Sequence, residues 1–182
     1  MNRADEKKAL FEFLLYFVAV LGVTFLIIHF VGQRTVVSGS SMEPTLYDGD
    51  NLIVDKISYR FNEPERFDII VFPYEDGTYY IKRIIGMPGE TVRIDEEGSI
   101  FINGERLSES YGKEVIDNPG CAGHEIILGE DEYFVLGDNR NNSMDSRDER
   151  VGLLHREELI GKALIRIYPF DKMGMLDDRQ GT

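Results

Sequence analysis

The amino-acid sequence predicts a mainly β protein, in which antiparallel sheet follows a single N-terminal transmembrane helix. One long stretch near the N-terminus is apolar and uncharged, whereas the rest consists of short β-like runs separated by turn residues. The 18 glycines and the 11% aromatic content of the 182 residues suit a turn-rich β domain better than a helix bundle.

The apolar stretch covers residues 13–33 and carries no formal charge if His29 is neutral. As a helix, its 21 residues span about 31 Å, close to the thickness of the hydrocarbon core of a bilayer. A cleavable signal peptide has a shorter apolar core followed by a small-residue cleavage site, and no such site is present here. We interpret residues 13–33 as an uncleaved membrane anchor. A buried helix of a globular core is the alternative.

The charges that flank the anchor predict its orientation. Arg3, Lys7 and Lys8 precede it, and only Arg34 follows it closely. The positive-inside rule places residues 1–12 in the cytoplasm and the rest of the chain outside the cell membrane. The lipid bilayer is therefore one predicted partner.

A β domain is predicted over residues 35–170. A two-residue hairpin turn is expected at Asn103 and Gly104, since both residues accept positive φ. We expect residues 103–130 to form a projecting ribbon or loop, and residues 171–182 to form a flexible tail. The predicted strands are Asn51–Asp55, Asp68–Phe72, Tyr79–Ile85, Thr91–Ile94, Ser99–Ile102, Glu132–Leu136 and Lys162–Tyr168.

Composition excludes several classes of function. The 33 acidic and 20 basic residues give a net charge of −13, which argues against nucleic acid as a partner, because phosphate binding needs clustered Lys and Arg. Cys121 is the single cysteine, so neither an intrachain disulfide nor a cysteine-rich zinc site is possible. The three histidines (His29, His124 and His155) lie far apart, without an HExxH pattern, so no metal site is predicted.

The first candidate for chemistry is the segment SGSSMEPTL, residues 38–46. Pro44 favours an extended conformation for Glu43, and Gly39 permits backbone geometry that other residues resist. A serine in such a turn can present its hydroxyl outward, with backbone N–H groups nearby to bind an oxyanion. From these residues alone, an ordinary serine-rich loop remains the alternative.

A nucleophilic serine needs a base, and Lys82 is the candidate because it interrupts an apolar strand. Period-two alternation places Tyr80, Lys82 and Ile84 on one face. A buried ammonium group is costly, so it should lose its proton or gain a partner. Lowering its pKa by about three units costs roughly 4 kcal/mol at neutral pH and makes the amine a usable base. A snorkelling or ion-paired lysine is the alternative.

The third candidate segment is GDNRNNSMDSR, residues 137–147, which follows a predicted strand. It collects hydrogen-bonding and charged groups around one turn. Asp145 and Arg147 are suited to form an ion pair, and Ser143 is suited to orient an amine. A solvated loop is the alternative, which composition does not exclude.

In this order, behind one anchor, the three segments resemble those of the type I signal peptidase family, which comprises membrane-bound serine proteases with a serine–lysine dyad. SGSSMEPTL is similar to the nucleophile box, YYIKRIIGMPGE to the lysine box and GDNRNNSMDSR to the last signature. GDNLIVDK, FINGERLSESY and VGLLHREELIGKALIRIYP are similar to further segments of the family. The resemblance covers residues 35–169 and is poor over residues 112–131.

The resemblance implies that Ser41 is the nucleophile, that Lys82 is the general base and that Ser143 aims the lysine amine. The backbone N–H of Ser41 would hold the oxyanion. Some members of the family donate a second hydrogen bond to the oxyanion from a serine hydroxyl at the position of Gly39. Glycine has no side chain, so in this sequence any second donor must come from backbone or water. The implied supporting charges are Asp138, Asp145, Arg147 and Arg83. Phe67 departs from the glycine that is usual in the family, which we expect to alter a turn rather than the site.

The substrates implied by the resemblance are preproteins whose signal peptides carry small residues at the first and third positions before the cut. Neither a metal nor an organic cofactor is implied. The expected pocket is shallow and apolar, and the matching positions are Val37, Gly39, Met42, Leu46, Tyr80 and Ile81. Two alternatives remain: a catalytically inactive membrane-anchored β domain that binds export partners, and a self-cleaving serine–lysine regulator.

Overall fold

The computed structural model describes residues 3–26, 32–74 and 77–176. Helix α1 spans Arg3–Leu26 and so begins before the predicted anchor. Within the described part, it is the one helix long and apolar enough to cross a membrane: its Lys8–Phe25 segment has a mean hydropathy of 1.8, with none of it buried. Residues 27–31 of the predicted anchor lie outside the described residues, and Gly32 and Gln33 belong to the first strand.

The described residues after α1 contain twelve strands, which are β1 Gly32–Val36, β2 Asn51–Asp55, β3 Ile69–Tyr74, β4 Thr78–Gly86, β5 Thr91–Ile94, β6 Ile100–Ile102, β7 Glu105–Arg106, β8 Ile126–Ile127, β9 Glu132–Leu136, β10 Leu154–His155, β11 Gly161–Tyr168 and β12 Gly174–Met175. The larger sheet has the order β1-β2-β11-β3-β4-β9-β10, with β12 paired to β11, and the smaller has the order β7-β6-β5-β8. Every pairing is antiparallel. The mainly β, antiparallel fold class is confirmed.

The predicted hairpin joins β6 to β7. Asn103 has a φ of +52° and Gly104 a φ of +79°, and Ile102 pairs with Glu105 across the turn. Each strand predicted from apolar runs is found, with ends that differ by at most two residues. The strands without a sequence prediction are β1, β7, β8, β10 and β12, most of them two residues long.

Residues 103–130, expected to form a projecting ribbon or loop, consist mostly of loop between short elements. They carry β7, β8 and a 3₁₀ turn over Gly120–Gly123, and part of the segment is packed into the domain. The buried side chains of this segment are Tyr111, Ile116, Ala122 and Leu128. Burial of these apolar groups stabilises the packed arrangement over an exposed one.

The predicted tail is partly structured. Gly174 and Met175 pair with β11, and Leu176 is buried at the edge of the core. Burial of this leucine side chain explains why the chain stays against β11 up to Leu176. Residues 177–182 of the predicted tail lie outside the described residues.

Strand β4 is central to the domain because it contributes to three apolar clusters. Ile81 packs with Val37 and Met42 under the serine-rich turn. Ile84 and Ile85 each belong to one of the other two clusters. The two charged residues of the strand, Lys82 and Arg83, lie between these buried isoleucines and are themselves buried.

Candidate active site

The serine-rich turn, residues 38–46, is fixed by two core side chains. Met42 and Leu46 are both buried, and the N–H of Leu46 donates to the carbonyl of Met42 at 2.8 Å. Gly39 has a φ of +92°, which glycine adopts without steric cost. Ser41 lies between these fixed points and is half-buried.

Lys82 reaches Ser41 from the middle of β4. Its Nζ lies 2.9 Å from the Oγ of Ser41 and donates to the carbonyl of Ile81 at 3.0 Å. The same Nζ lies 4.9 Å from the centre of the Tyr80 ring, and the lysine is 3% exposed. The structure thus brings the two predicted dyad residues within hydrogen-bond distance, with the lysine shielded from solvent.

Burial lowers the pKa of Lys82 from 10.5 to about 8, because the ammonium form loses its hydration. The negative charges of Asp145 and Asp138 oppose this shift in the pKa. With a pKa of about 8, roughly a tenth of the amine is neutral at pH 7, compared with fewer than about one in a thousand for an ordinary lysine. A neutral amine is therefore available at Lys82 near neutral pH.

Arg83 forms a buried ion pair with Asp138. Its Nε donates to Oδ1 at 2.9 Å and its Nη2 to Oδ2 at 2.7 Å, and both side chains are fully buried. The hydroxyl of Thr45 donates to Oδ2 of Asp138 at 2.5 Å. Bidentate charge-assisted pairs are geometrically specific, so this contact fixes β4, the serine-rich turn and the loop after β9 relative to one another.

Asp145 and Arg147 form the ion pair that the sequence predicts. The Nε and Nη2 of Arg147 donate to the two carboxylate oxygens of Asp145 at 2.8 and 2.9 Å. Asp145 also accepts the backbone N–H of Gly137 at 3.0 Å, which closes the loop on itself. The N–H of Asn139 donates to the carbonyl of Ser41 at 3.0 Å. The loop therefore contacts Ser41 directly through its backbone.

Ser143 does not make the contact expected of it. Its Oγ is buried and has no hydrogen-bond partner among the described residues, and Lys82 donates to the carbonyl of Ile81. Ser143 instead packs against Gly137, where an added Cβ would lie 2.2 Å from its Oγ. The packing of the loop, which sequence does not specify, determines this orientation.

A groove of about 430 Å³ contains both Ser41 and Lys82. Of the predicted pocket residues, Val37, Gly39, Met42, Tyr80 and Ile81 line it. Leu46 does not line it: its side chain is fully buried in the core, because the turn directs it inward next to Met42. The lining residues that sequence reasoning missed are Thr35, Val36, Ser38, Ser40, Thr78, Tyr79, Asn142 and Met144.

Most of these missed residues lie within or next to segments that the sequence predicted. The exceptions are Thr35 and Val36, which belong to β1, a strand that the sequence did not predict. Met144 is the informative omission, since it comes from the loop after β9 and its Sδ lies 3.7 Å from the Tyr80 hydroxyl. An apolar residue between Ser143 and Asp145, in an otherwise polar loop, is the signal that could have identified Met144.

The backbone at Gly39 is engaged within the turn. The N–H of Gly39 donates to Oδ1 of Asp48 at 2.8 Å. A second oxyanion donor at this position therefore requires this hydrogen bond to open. Among the described residues, no group of three or more His, Cys, Asp or Glu side chains is placed to hold a metal ion.

Phe67 lies closer to the site than the sequence analysis expected. Its φ of +74° is the left-handed conformation that glycine adopts freely, which explains why glycine suits this turn. Its carbonyl accepts a hydrogen bond from Nη1 of Arg83 at 2.9 Å. The altered turn therefore contacts the buried ion pair next to the dyad.

Comparison with known proteins identifies the family of this chain. The family described as signal peptidase, peptidase S26, matches residues 10–168. The chain is 42% identical over 156 residues to a probable signal peptidase I-2 of Synechocystis sp., covering 82% of this chain and 69% of that protein. It is 33% identical over 181 residues to a signal peptidase I of Bacillus licheniformis, covering 95% of this chain and 96% of that protein.

A third relative is signal peptidase I T of Bacillus subtilis, 37% identical over 164 residues, with 86% of this chain and 83% of that protein covered. The matched region runs from α1 through β11 and includes the groove, the serine-rich turn, β4 and the loop after β9. The resemblance drawn from the sequence is confirmed, and the chain belongs to the signal peptidase family, peptidase S26.

Proposed function

We propose that this chain is a membrane-anchored serine endopeptidase that removes signal peptides from exported preproteins, with Ser41 as nucleophile and neutral Lys82 as general base. The observation that carries the proposal is the 2.9 Å separation between Lys82 Nζ and Ser41 Oγ inside the groove. Membership of the signal peptidase family supports the choice of reaction.

The first half of the reaction follows from this contact. Neutral Lys82 accepts the hydroxyl proton as Ser41 Oγ attacks the carbonyl carbon of the scissile peptide bond. The resulting oxyanion is stabilised by backbone donors, first among them the N–H of Ser41. The protonated lysine then gives the proton to the leaving amine, the C–N bond breaks, and the signal peptide remains as an ester on Ser41.

The second half uses the same base. Once the mature protein has left, Lys82 is neutral again and accepts a proton from a water molecule that attacks the ester carbonyl. The C–O bond to Ser41 breaks, and the proton returns from Lys82 to the serine oxygen. No group beyond these side chains and the backbone donors is required by this scheme.

The groove favours small substrate side chains next to the cut. Met42, Ile81 and Tyr80 form apolar walls of the groove. The side chains of Tyr80 and Met144 approach to 3.7 Å and narrow the groove. An extended substrate adds backbone hydrogen bonds along a sheet edge, and alternate side chains enter pockets. These features support a preference for preproteins with small residues at the first and third positions before the cut.

The N-terminal helix α1 is the proposed anchor, with the N-terminus in the cytoplasm and the β domain outside. Its described side chains from Leu10 to Phe25 are largely apolar and exposed, which suits contact with lipid. Anchoring raises the effective concentration of membrane-bound substrate at the groove without any new contact. Two experiments test this arrangement. The protein should resist alkaline extraction from membranes, and a protease should digest residues 35–170 only when it is added to the outer side of the membrane.

The catalytic proposal is tested with the full chain in detergent micelles and a preprotein that carries alanine at the first and third positions before its cleavage site. N-terminal sequencing of the product identifies the bond that is cut. Ser41→Ala and Lys82→Met should each abolish cleavage while the β domain stays folded and unfolds cooperatively on heating.

Matched controls exclude a general effect of the substitutions. Ser108→Ala replaces an exposed serine in the smaller sheet region, and Lys56→Met replaces a half-buried lysine at the end of β2. Both controls should retain full activity. Cleavage by the Ser41→Ala or Lys82→Met variant at the wild-type rate would exclude the dyad, and a folded wild-type protein without turnover would favour an inactive binding domain.

A further inference from the structure

Tyr111 covers the buried ion pair beside the dyad. Its ring centre lies 3.8 Å from Cζ of Arg83, and the residue is 7% exposed. The ring of Phe67 packs against that of Tyr111, with 5.0 Å between ring centres. Tyr111 belongs to the segment after β7, close to the region in which the sequence matched the family poorly.

The ion pair under Tyr111 connects directly to the nucleophile. Asp138 accepts the hydroxyl of Thr45, which lies in the same turn as Ser41. The next residue, Asn139, donates its backbone N–H to the Ser41 carbonyl at 3.0 Å and its side-chain Nδ2 to the Ser40 carbonyl at 3.0 Å. Any displacement of Asp138 is therefore transmitted to Ser41 through two routes.

The segment that carries Tyr111 is attached to the same loops. The N–H of Lys113 donates to the carbonyl of Asp138 at 2.8 Å, and Lys113 Nζ pairs with Glu43 at 2.9 Å. Residues 111–113 thus bridge the serine-rich turn and the loop after β9. Exposed pairs such as Lys113–Glu43 contribute little alone, so the buried ring of Tyr111 dominates this attachment.

Tyr111 lies outside the substrate groove. It lines a separate cavity of about 360 Å³ together with Arg83 and Thr45, and this cavity shares no lining residue with the groove that contains Ser41 and Lys82. A change at Tyr111 therefore reaches the dyad through Arg83 and Asp138, and leaves the walls that contact substrate in place.

We propose that Tyr111 is a positioning residue for the peptidase reaction: its ring covers the Arg83–Asp138 pair and thereby holds Ser41 against Lys82. The inference rests on the proposed function of the dyad. A guanidinium stacked on an aromatic face is attracted by the ring quadrupole, and the attraction increases when water is excluded. Removal of the ring admits water to the pair and loosens the hold of Asp138 on the turn.

The test compares kcat and KM for Tyr111→Leu, Tyr111→Phe and wild type, using the full chain and the preprotein described above. Tyr111→Leu should lower kcat about 10- to 100-fold with KM nearly unchanged, since small misplacement of reacting groups has effects of this size. Tyr111→Phe keeps the ring and should recover most of the lost kcat. Tyr111→Met, which is unbranched and also lacks the ring, replaces the leucine variant if that variant does not fold.

The matched control is Phe101→Leu in the smaller sheet. Arg93 stacks on Phe101 with 4.7 Å between Cζ and the ring centre, which is the same type of contact without a link to the dyad. This control should retain wild-type kcat. Wild-type kcat in a folded Tyr111→Leu or Tyr111→Met variant would overturn the inference, as would an equal loss in Tyr111→Phe.

Failure of this inference is distinguishable from failure of the proposed function. If Ser41→Ala is inactive and Tyr111→Leu is fully active, the dyad stands and the positioning role is excluded. If Ser41→Ala cleaves the preprotein at the wild-type rate, the proposed function is excluded, and the positioning role falls with it.

Discussion

Lys82 and Arg83 are adjacent in β4, and their side chains reach different partners: Lys82 Nζ lies 2.9 Å from Ser41 Oγ, whereas the Arg83 guanidinium holds both carboxylate oxygens of Asp138. Alternate residues of a strand point to opposite faces, so β4 holds the proposed base on one side and a buried ion pair on the other. The arginine is paired. The lysine forms no ion pair with a described carboxylate, and burial lowers its pKa to about 8.

The first prediction concerns stability. Between pH of about 8 and 10.5, the unfolded chain holds a proton on Lys82 that the folded chain does not, so stability rises with pH across this window. Below pH 8 the lysine is protonated in both states, so folding carries the full cost of burying the ammonium group. For this shift in the pKa, that cost is about 3 kcal/mol. Lys82→Met should therefore raise the free energy of unfolding at pH 7 by up to about 3 kcal/mol.

Urea denaturation of the full chain in micelles measures this difference at pH 7 and again above pH 10.5. The advantage of the Lys82→Met variant should shrink at the higher pH, where the wild-type lysine is neutral in both states. A variant that is less stable than wild type at pH 7 would show that burial of the lysine is not costly.

The second prediction concerns Gly137. A Cβ added there would lie 2.5 Å from the carbonyl oxygen of Ser41 and 2.2 Å from Ser143 Oγ, so the nucleophile turn must move. Gly137→Ala should lower kcat at least tenfold, because the dyad geometry is lost. Gly123→Ala is the matched control, since its nearest neighbour, Pro119, lies at an ordinary contact distance of 3.4 Å. Steady-state kinetics with wild-type rates in Gly137→Ala would contradict the packing described here.

The third prediction concerns the buried ion pair. Arg83→Met leaves the Asp138 carboxylate buried without its cation, and breaking a buried pair in this way costs about 3–5 kcal/mol. Thermal unfolding should therefore shift to lower temperature. Arg150→Met breaks the exposed Arg150–Asp148 pair and should leave the unfolding temperature unchanged. Equal shifts of the unfolding temperature in the two variants would mean that burial of the Arg83–Asp138 pair does not matter for stability.

The fourth prediction concerns specificity. Met144 narrows the groove opposite Tyr80, so Met144→Ala should admit side chains larger than alanine next to the cut. The ratio of kcat/KM for a valine-containing over an alanine-containing preprotein should rise about tenfold. Met173→Ala, at an exposed methionine, should leave this ratio at its wild-type value. An unchanged ratio in Met144→Ala would remove Met144 from the specificity-determining residues.

The parts of the fold that were predictable from sequence are those with strong local signals. The apolar runs of β2, β5 and β9 match their predicted bounds, and the Asn103–Gly104 turn has the φ values that its residues favour. Strands β7, β8, β10 and β12 are two residues long, so they have no detectable period, and tertiary pairing alone defines them.

The residues alone predicted the segments of the site and the Asp145–Arg147 pair within one of them, whereas the contacts between segments were not predictable. Lys82 was marked by a charge in an apolar strand, and the contact with Ser41 required two segments 41 residues apart to meet. The orientation of Ser143 and the inward direction of Leu46 depend on packing against Gly137 and the core. Tyr111 ends the family-like segment FINGERLSESY, but its proposed role could not be read from the sequence, because the role depends on stacking with Arg83 and Phe67 across three segments.

The pH dependence of kcat/KM tests the central claim most directly, since it reports the ionisation of the base in the free enzyme. The neutral amine is the reactive form, so activity should rise as pH increases through the pKa of Lys82, with an acid limb centred at about 8. An acid limb at that pH supports a desolvated lysine as the base of Ser41. A limb centred near 10 would mean that the lysine is not desolvated, and a profile without any limb between pH 6 and 10 would exclude Lys82 as the base.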